Sequence, residues 1–316
     1  MDSTGTLFLP PSGSTLAPEV DALMAFILYV CIFFSVIVFA GIIFFSIKYR
    51  RSRQKAEAEA GPSHSTALEI TWTLVPLLLV MIIFVWGFRT YMKMSVVPKD
   101  ALEIKVTAQK WFWSFAYPEG ATSVNELVVP VGKPIKLLMS SKDVIHSFFV
   151  PAFRMKRDVL PNRYTITWFE ATQEGNFDLA CAEYCGSKHS GMIGKVRVVT
   201  DRAYADWLVS SSKAGEGLTP VQFGAKLYKS KECITCHSID GSLIEAPSFL
   251  GVFGHEVAFN DGKRLIADEN YLRESILNPA AKVVAGFQPI MPTYQTLLKD
   301  AEVDALVAYI KSLSKP

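Results

Sequence analysis

Residues 181–192 read Cys181-Ala-Glu-Tyr-Cys185-Gly-Ser-Lys-His189-Ser-Gly-Met192. Two thiols, an imidazole and a thioether fall within 12 residues, and a second imidazole stands upstream at His146, in Asp143-Val-Ile-His-Ser. Sulfur donors combined with imidazole form a soft set that selects copper over harder metals. A mononuclear blue copper site takes one cysteine and two histidines, so a second thiol is surplus there. Two thiolates can instead bridge two copper ions, one histidine on each, with Met192 and the Glu183 carbonyl completing the shells. The alternatives are a plain disulfide and a zinc site. Export would permit a disulfide, but it assigns no purpose to His189 and Met192, and zinc leaves Met192 unexplained.

The chain around this stretch reads as β-structure. Leu102–Ala108, Lys136–Ser140, Tyr164–Glu170 and Lys195–Val199 are short, often alternating, and rich in β-branched and aromatic residues. Pro118-Glu-Gly, Val131-Gly-Lys-Pro and Glu174-Gly-Asn punctuate them as turns. About 100 residues of this kind predict an antiparallel sandwich over 95–200. A small polar linker follows, Ser210-Ser-Ser-Lys-Ala-Gly-Glu-Gly, assigned within residues 201–218.

From residue 219 to 316 the pattern turns helical. Phe223–Lys229 and Asp300–Leu313 are predicted helices, the second with Val303, Leu306, Val307 and Ile310 on one face. Cys233-Ile-Thr-Cys236-His237 is the attachment pattern for a c-type haem. The thiols form thioethers with the porphyrin vinyl groups, and His237 is placed to ligate the iron. A thioredoxin-like pair would need a βαβ context, and a zinc site would need further ligands where this region offers only His255. For the sixth iron ligand, Met291 in Pro289-Ile-Met-Pro is favoured over His255, because the flanking prolines hold an extended loop.

Upstream, the chain is apolar. Half of its 316 residues are hydrophobic and the mean hydropathy is +0.25. Leu23–Tyr49 and the run from Ile70 to about residue 92 each match the ~20 residues that cross a bilayer, with Trp72, Trp86 and Tyr91 at the ends of the second. Residues 1–22 carry no Lys or Arg, so the first run reads as a retained span and not a cleaved leader. Lys48, Arg50, Arg51, Arg53 and Lys55 lie between the spans against Glu57 and Glu59. The positive-inside rule then puts this loop in the cytoplasm and both termini outside, in a bacterial inner membrane. The net charge of +2 speaks against a nucleic-acid partner.

Two resemblances follow from these motifs. The helix, Cys-x-x-Cys-His, loop, Met, helix order of residues 219–316 resembles class I cytochromes c. The copper loop, Ser141-Lys-Asp-Val-Ile-His-Ser-Phe-Phe-Val-Pro, Lys156-Arg-Asp-Val-Leu-Pro-Asn-Arg and the two spans resemble cytochrome c oxidase subunit II. Together they imply a multidomain membrane protein, with a two-helix transmembrane hairpin in residues 1–94, an all-β cupredoxin-like Greek-key sandwich and an all-α cytochrome domain. This is the caa3-type arrangement. The resemblance implies dinuclear copper (CuA) on His146, Cys181, Glu183 (backbone oxygen), Cys185, His189 and Met192. It also implies one haem c on Cys233 and Cys236, ligated by His237 and Met291. Trp111 matches the aromatic residue that passes electrons to copper; the plainer reading is an interior strand aromatic. Glu183 would share a magnesium ion with subunit I. Glu69 matches a carboxylate at the entrance of a proton path, or is an ordinary interfacial charge. Lys188 and Gly191 depart from some members, though neither is a ligand. The implied function is transfer of electrons from an external donor, through haem c and copper, to subunit I, where oxygen is reduced to water with proton pumping. The alternative is a membrane-anchored periplasmic electron carrier feeding another reductase; quinol oxidase and nitrous or nitric oxide reductase subunits are further rivals.

Overall fold

The computed structural model describes residues 5, 9–50, 61, 64–212, 215–295 and 297–314. Most of the cationic stretch between the spans, residues 51–60, lies outside them, as do Lys213 and Ala214.

Helix α1 spans Ala17–Lys48 and helix α2 spans Thr66–Ser95. Helix α1 begins ahead of its predicted span and ends one residue short of it, and α2 runs past its span at both ends, because hydropathy marks the apolar run and not the ends of the helix. At 32 and 30 residues, both exceed the ~20 that a bilayer requires. Their apolar side chains are exposed nearly throughout, Phe39, Leu78 and Phe84 among them, as suits a lipid surround. Pro76 lies inside α2 without ending it. The hairpin is tied near one end, where Glu19 accepts hydrogen bonds from Lys93 Nζ at 2.7 Å and Thr90 Oγ1 at 3.1 Å.

Ten strands form the next domain: β1 Leu102–Gln109, β2 Phe112–Ala116, β3 Thr122–Val124, β4 Glu126–Pro130, β5 Pro134–Ser141, β6 His146–Val150, β7 Met155–Val159, β8 Thr165–Glu170, β9 Gly175–Cys181 and β10 Ile193–Val199. One sheet has the order β3-β2-β1-β5-β8, the other β4-β10-β9-β6-β7. The sandwich is mixed and not wholly antiparallel, since β1 pairs with β5 in parallel and β4 with β10 in parallel. Alternation alone does not reveal strand direction, because both ladders have a side-chain period of two. The strict alternation of β5 turns Ile135, Leu137 and Met139 into a core shared with Trp113, Phe115, Phe148, Leu179 and Val196.

Two sequence boundaries are corrected. Residues 201–218 do not form one linker: Asp201–Ser212 is helix α3, and Tyr204, Trp207 and Leu208 pack on the sandwich core. Trp207 meets Tyr117 with ring centroids 4.8 Å apart. The polar composition of its outer face disguised an amphipathic helix as linker. Residues 9–14, assigned with the hairpin, lie instead against the sandwich. Gly13 N donates to Ala152 O at 2.8 Å, Gly13 O accepts from Thr172 N at 3.0 Å, and Arg154 donates to Pro10 O at 2.7 Å.

The last domain begins with helix α4, Pro220–Ser230, capped by a reciprocal Thr219–Gln222 box with Pro220 in the first turn. Helix α5 is Glu269–Leu277 and helix α6 Asp300–Ser312. The α4–α6 crossing is close: a methyl group added at Gly224 would lie 2.0 Å from the Ala305 carbonyl oxygen. The domain also carries a hairpin, β11 Glu256–Ala258 with β12 Arg264–Ile266, so its helical fold includes a small sheet. Its apolar cluster joins Leu227, Tyr228, Tyr271, Tyr294, Val303, Leu306 and Ile310, and it includes Phe112 and Val124 from the sandwich.

Candidate copper centre and haem pocket

The copper-loop residues converge. His146 opens β6 and Cys181 ends β9, neighbouring strands of one sheet. Cys185, His189 and Met192 follow on the turn between β9 and β10. Cys181 Sγ lies 3.9 Å from Cys185 Sγ, 3.8 Å from His146 Nδ1 and 3.2 Å from the Glu183 carbonyl oxygen. Cys185 Sγ lies 3.5 Å from His189 Nδ1 and 3.8 Å from Met192 Sδ. All six donors expected from sequence are therefore brought together. His146 and Met192 are fully buried, whereas the Glu183 side chain is exposed and only its carbonyl turns inward.

The electrostatics favour a metal between the sulfurs. Burial opposes ionisation of Cys181, but the hydrogen bonds of the His146 imidazole, the Ser147 and Glu183 backbone and Cys185 together outweigh it and bring the thiol down to about 7. Burial and the adjacent Cys181 charge push Cys185 up to about 12. One thiolate forms readily, and the second needs a cation to displace its proton. Asp143 organises this site, although sequence reading did not single it out. Its Oδ1 lies 2.8 Å from His146 Nε2, and its Oδ2 accepts from the Lys110 backbone N–H at 2.7 Å. A proton on Nε2 leaves the Nδ1 lone pair facing sulfur, the usual outer carboxylate arrangement of a ligating imidazole. The signal was present as an acid three residues before a histidine, but such a pair has no meaning until the strand start turns both inward.

Cys233, Cys236 and His237 line a cavity of about 740 Å³ together with Met291. A single turn from Cys233 to Thr235 brings the two cysteines and the imidazole to the same cavity. His237 Nδ1 donates to the Pro247 carbonyl at 2.7 Å, which leaves Nε2 free as a ligand. Burial keeps this imidazole neutral, and Phe249 stacks on its ring at 4.3 Å. His255 is exposed and is not among the residues that line the cavity. The size, the apolar lining and the presence of imidazole and thioether donors on one cavity fit a haem.

Trp111 lines the same cavity. Its ring also packs on Gly186, where a methyl group would meet the indole at 3.2 Å. It thus touches both the cavity and the residue after Cys185. Its indole nitrogen is buried without a hydrogen-bond partner. Glu69 is exposed in the first turn of α2.

A relative from Alkalihalophilus pseudofirmus, cytochrome c oxidase subunit 2, is 32% identical over 289 residues, covering 88% of this chain and 82% of its own. This chain belongs to the cytochrome c oxidase subunit II family. It matches the transmembrane domain of subunit II over residues 3–90, the periplasmic domain over 121–199 and cytochrome c over 221–314. The subunit 2 of Cereibacter sphaeroides is 29% identical over 237 residues, covering 63% of this chain and 78% of its own. The solved periplasmic domain of oxidase subunit II from Bradyrhizobium japonicum is 38% identical, covers 38% of this chain and 99% of its own, and superposes with a TM-score of 0.37. In this subunit II chain, the periplasmic domain implies copper and the cytochrome c domain implies haem, in agreement with the two donor sets above.

Proposed function

We propose that this chain is the electron-accepting subunit of a caa3-type haem–copper oxidase. It takes electrons from an external donor at the haem pocket and passes them by the thiolate pair to a catalytic subunit I, which reduces oxygen to water and pumps protons. The observation that carries this reading is the position of Trp111, which lines the cavity of Cys233, Cys236, His237 and Met291 and also packs on Gly186 beside Cys185.

Copper and haem, when bound, supply reversible one-electron chemistry. Cys181 and Cys185 would hold two copper ions, with His146, His189, Met192 and the Glu183 carbonyl as the further donors. Cys233 and Cys236 would anchor the haem, and His237 and Met291, on the same cavity, would be its iron ligands. The Glu183 carboxylate, exposed at the site's edge, would reach a magnesium ion shared with subunit I. Glu69 stands at the mouth of a proton path. Both termini and both redox domains lie on the periplasmic side of the bacterial inner membrane, and fusion of the cytochrome makes its encounter with copper intramolecular.

The test is purification of the chain with its membrane partners, followed by metal analysis and low-temperature EPR. Two coppers per haem c, a mixed-valence copper signal and a co-purifying many-span haem subunit are expected. One copper per haem, stoichiometric zinc or an isolated chain would overturn the assignment.

A further inference from the structure

The haem-attachment turn and the copper loop are joined by one side chain. Lys188 lies between Cys185 and His189, and its Nζ donates to the carbonyl oxygen of Thr235 at 3.3 Å. Thr235 lies between Cys233 and Cys236. The same ammonium pairs with Glu245 Oε1 at 3.6 Å, and Glu245 is on the wall of the haem cavity. Lys188 therefore ties the loop that carries the Glu183, Cys185, His189 and Met192 donors to two separate points around the haem site. Lysine side chains are costly to immobilise, yet this one is three-quarters covered.

A second polar contact and an apolar contact support the same arrangement. Lys231, itself buried, donates from Nζ to Thr122 Oγ1 of the sandwich at 3.1 Å. Phe112 and Val124 of the sandwich are buried members of the cytochrome's apolar cluster. Lys110, Asn125, Gly191 and Ile193 of the copper domain line the haem cavity as well. The cytochrome domain is thus seated on the copper domain, and part of its pocket wall is lent by it.

We infer that Lys188 is a positioning residue that clasps the cytochrome domain onto the copper loop and holds the two redox sites in one fixed arrangement. A tether alone would leave the domains to meet by diffusion at a concentration set by the linker. The clasp replaces that search with a standing contact. It also explains the charge at position 188: an ammonium there satisfies a backbone carbonyl and a carboxylate on the facing domain. This inference rests on the copper and haem reading proposed above.

The experiment uses the full-length chain in detergent, carrying a protease site between Gly215 and Leu218. After cutting, association of the haem-bearing piece with the remainder is measured by sedimentation over a dilution series, at low and high salt. The cut wild-type chain is expected to stay associated at low salt. K188E and E245K are each expected to weaken association about threefold to tenfold at low salt and less at high salt. K188R is expected to stay close to wild type, and K188E/E245K to recover most of the loss. Because residue 245 lies on the other domain, E245K keeps the test open if K188E disturbs the copper loop. Separation of the cut wild-type pieces at low salt, or association indifferent to K188E and E245K, would overturn the clasp. Copper and haem are assayed on the same samples. Cofactor-free chain with intact coupling would overturn only the cofactor reading; loaded chain without coupling would overturn only the clasp.

Discussion

Phe112, the first residue of β2 in the sandwich, stacks on Tyr294 of the cytochrome domain, with ring centroids 5.9 Å apart and planes inclined by 12°. Tyr294 is buried and donates from its hydroxyl to the Lys231 carbonyl at 2.9 Å. The stack couples the stability of the two domains. Phe112→Ala is expected to cost about 3 kcal/mol from lost burial and the cavity left behind. Calorimetry of the full chain should show the cytochrome transition moving to lower temperature while the hairpin is unaffected. An unchanged transition would mean that the stack contributes nothing in solution.

Asp143 bonds the imidazole of His146 through one oxygen and the Lys110 backbone through the other. Asp143→Asn keeps the shape but weakens the hold on the ring. Outer-sphere changes of this type cost about tenfold to a hundredfold in metal affinity. Copper titration of the metal-free chain, with a competing chelator, should show that loss. Equal affinity would assign Asp143 a purely structural role.

Met291 faces the same cavity as His237. Met291→Ala is expected to remove the low-spin His/Met spectrum of the haem and to lower its reduction potential, since thioether ligation raises it. The haem should stay attached, because Cys233 and Cys236 are untouched. A spectrum identical to wild type would return the sixth position to another residue. His255→Ala, at an exposed residue outside the cavity wall, should leave the spectrum as it is.

Gly224 lets α4 approach α6. Gly224→Ala cannot be absorbed by side-chain adjustment, because the opposing atom is a backbone carbonyl. Overpacking of this kind costs about 1–3 kcal/mol or more. Thermal unfolding followed at the haem absorbance should report a destabilised cytochrome domain, with the copper domain's own transition retained. A small domain has little margin for such a loss.

Much of this was legible in the residues. Both apolar spans, the paired cysteines with their histidines and methionines, and the terminal helices of the cytochrome are local patterns with local causes. The misread segments have a common origin. Residues 201–212 look polar because a helix that covers a sandwich needs only one apolar stripe, here Tyr204, Trp207 and Leu208. Residues 9–14 have no periodicity of their own, and backbone hydrogen bonds place them on the sandwich. The two parallel strand pairs share their alternation with antiparallel ones.

The sequence by itself determined the chemistry: which donors exist, how they are spaced, and that one set is soft enough for copper while the other is built for a covalent haem. It also determined that two segments are long and apolar enough to span a membrane. Tertiary structure alone decided which atoms those donors present and what lies between them. Asp143 and the Pro247 carbonyl select the free imidazole nitrogens, Trp111 comes to rest against both the haem cavity and Gly186, and Lys188 reaches Thr235 across 47 positions of chain. The physical reason is range. Donor identity and helical period are properties of neighbours in sequence, whereas hydrogen-bond partners and packing faces are set by strands and helices that meet only when the chain has folded.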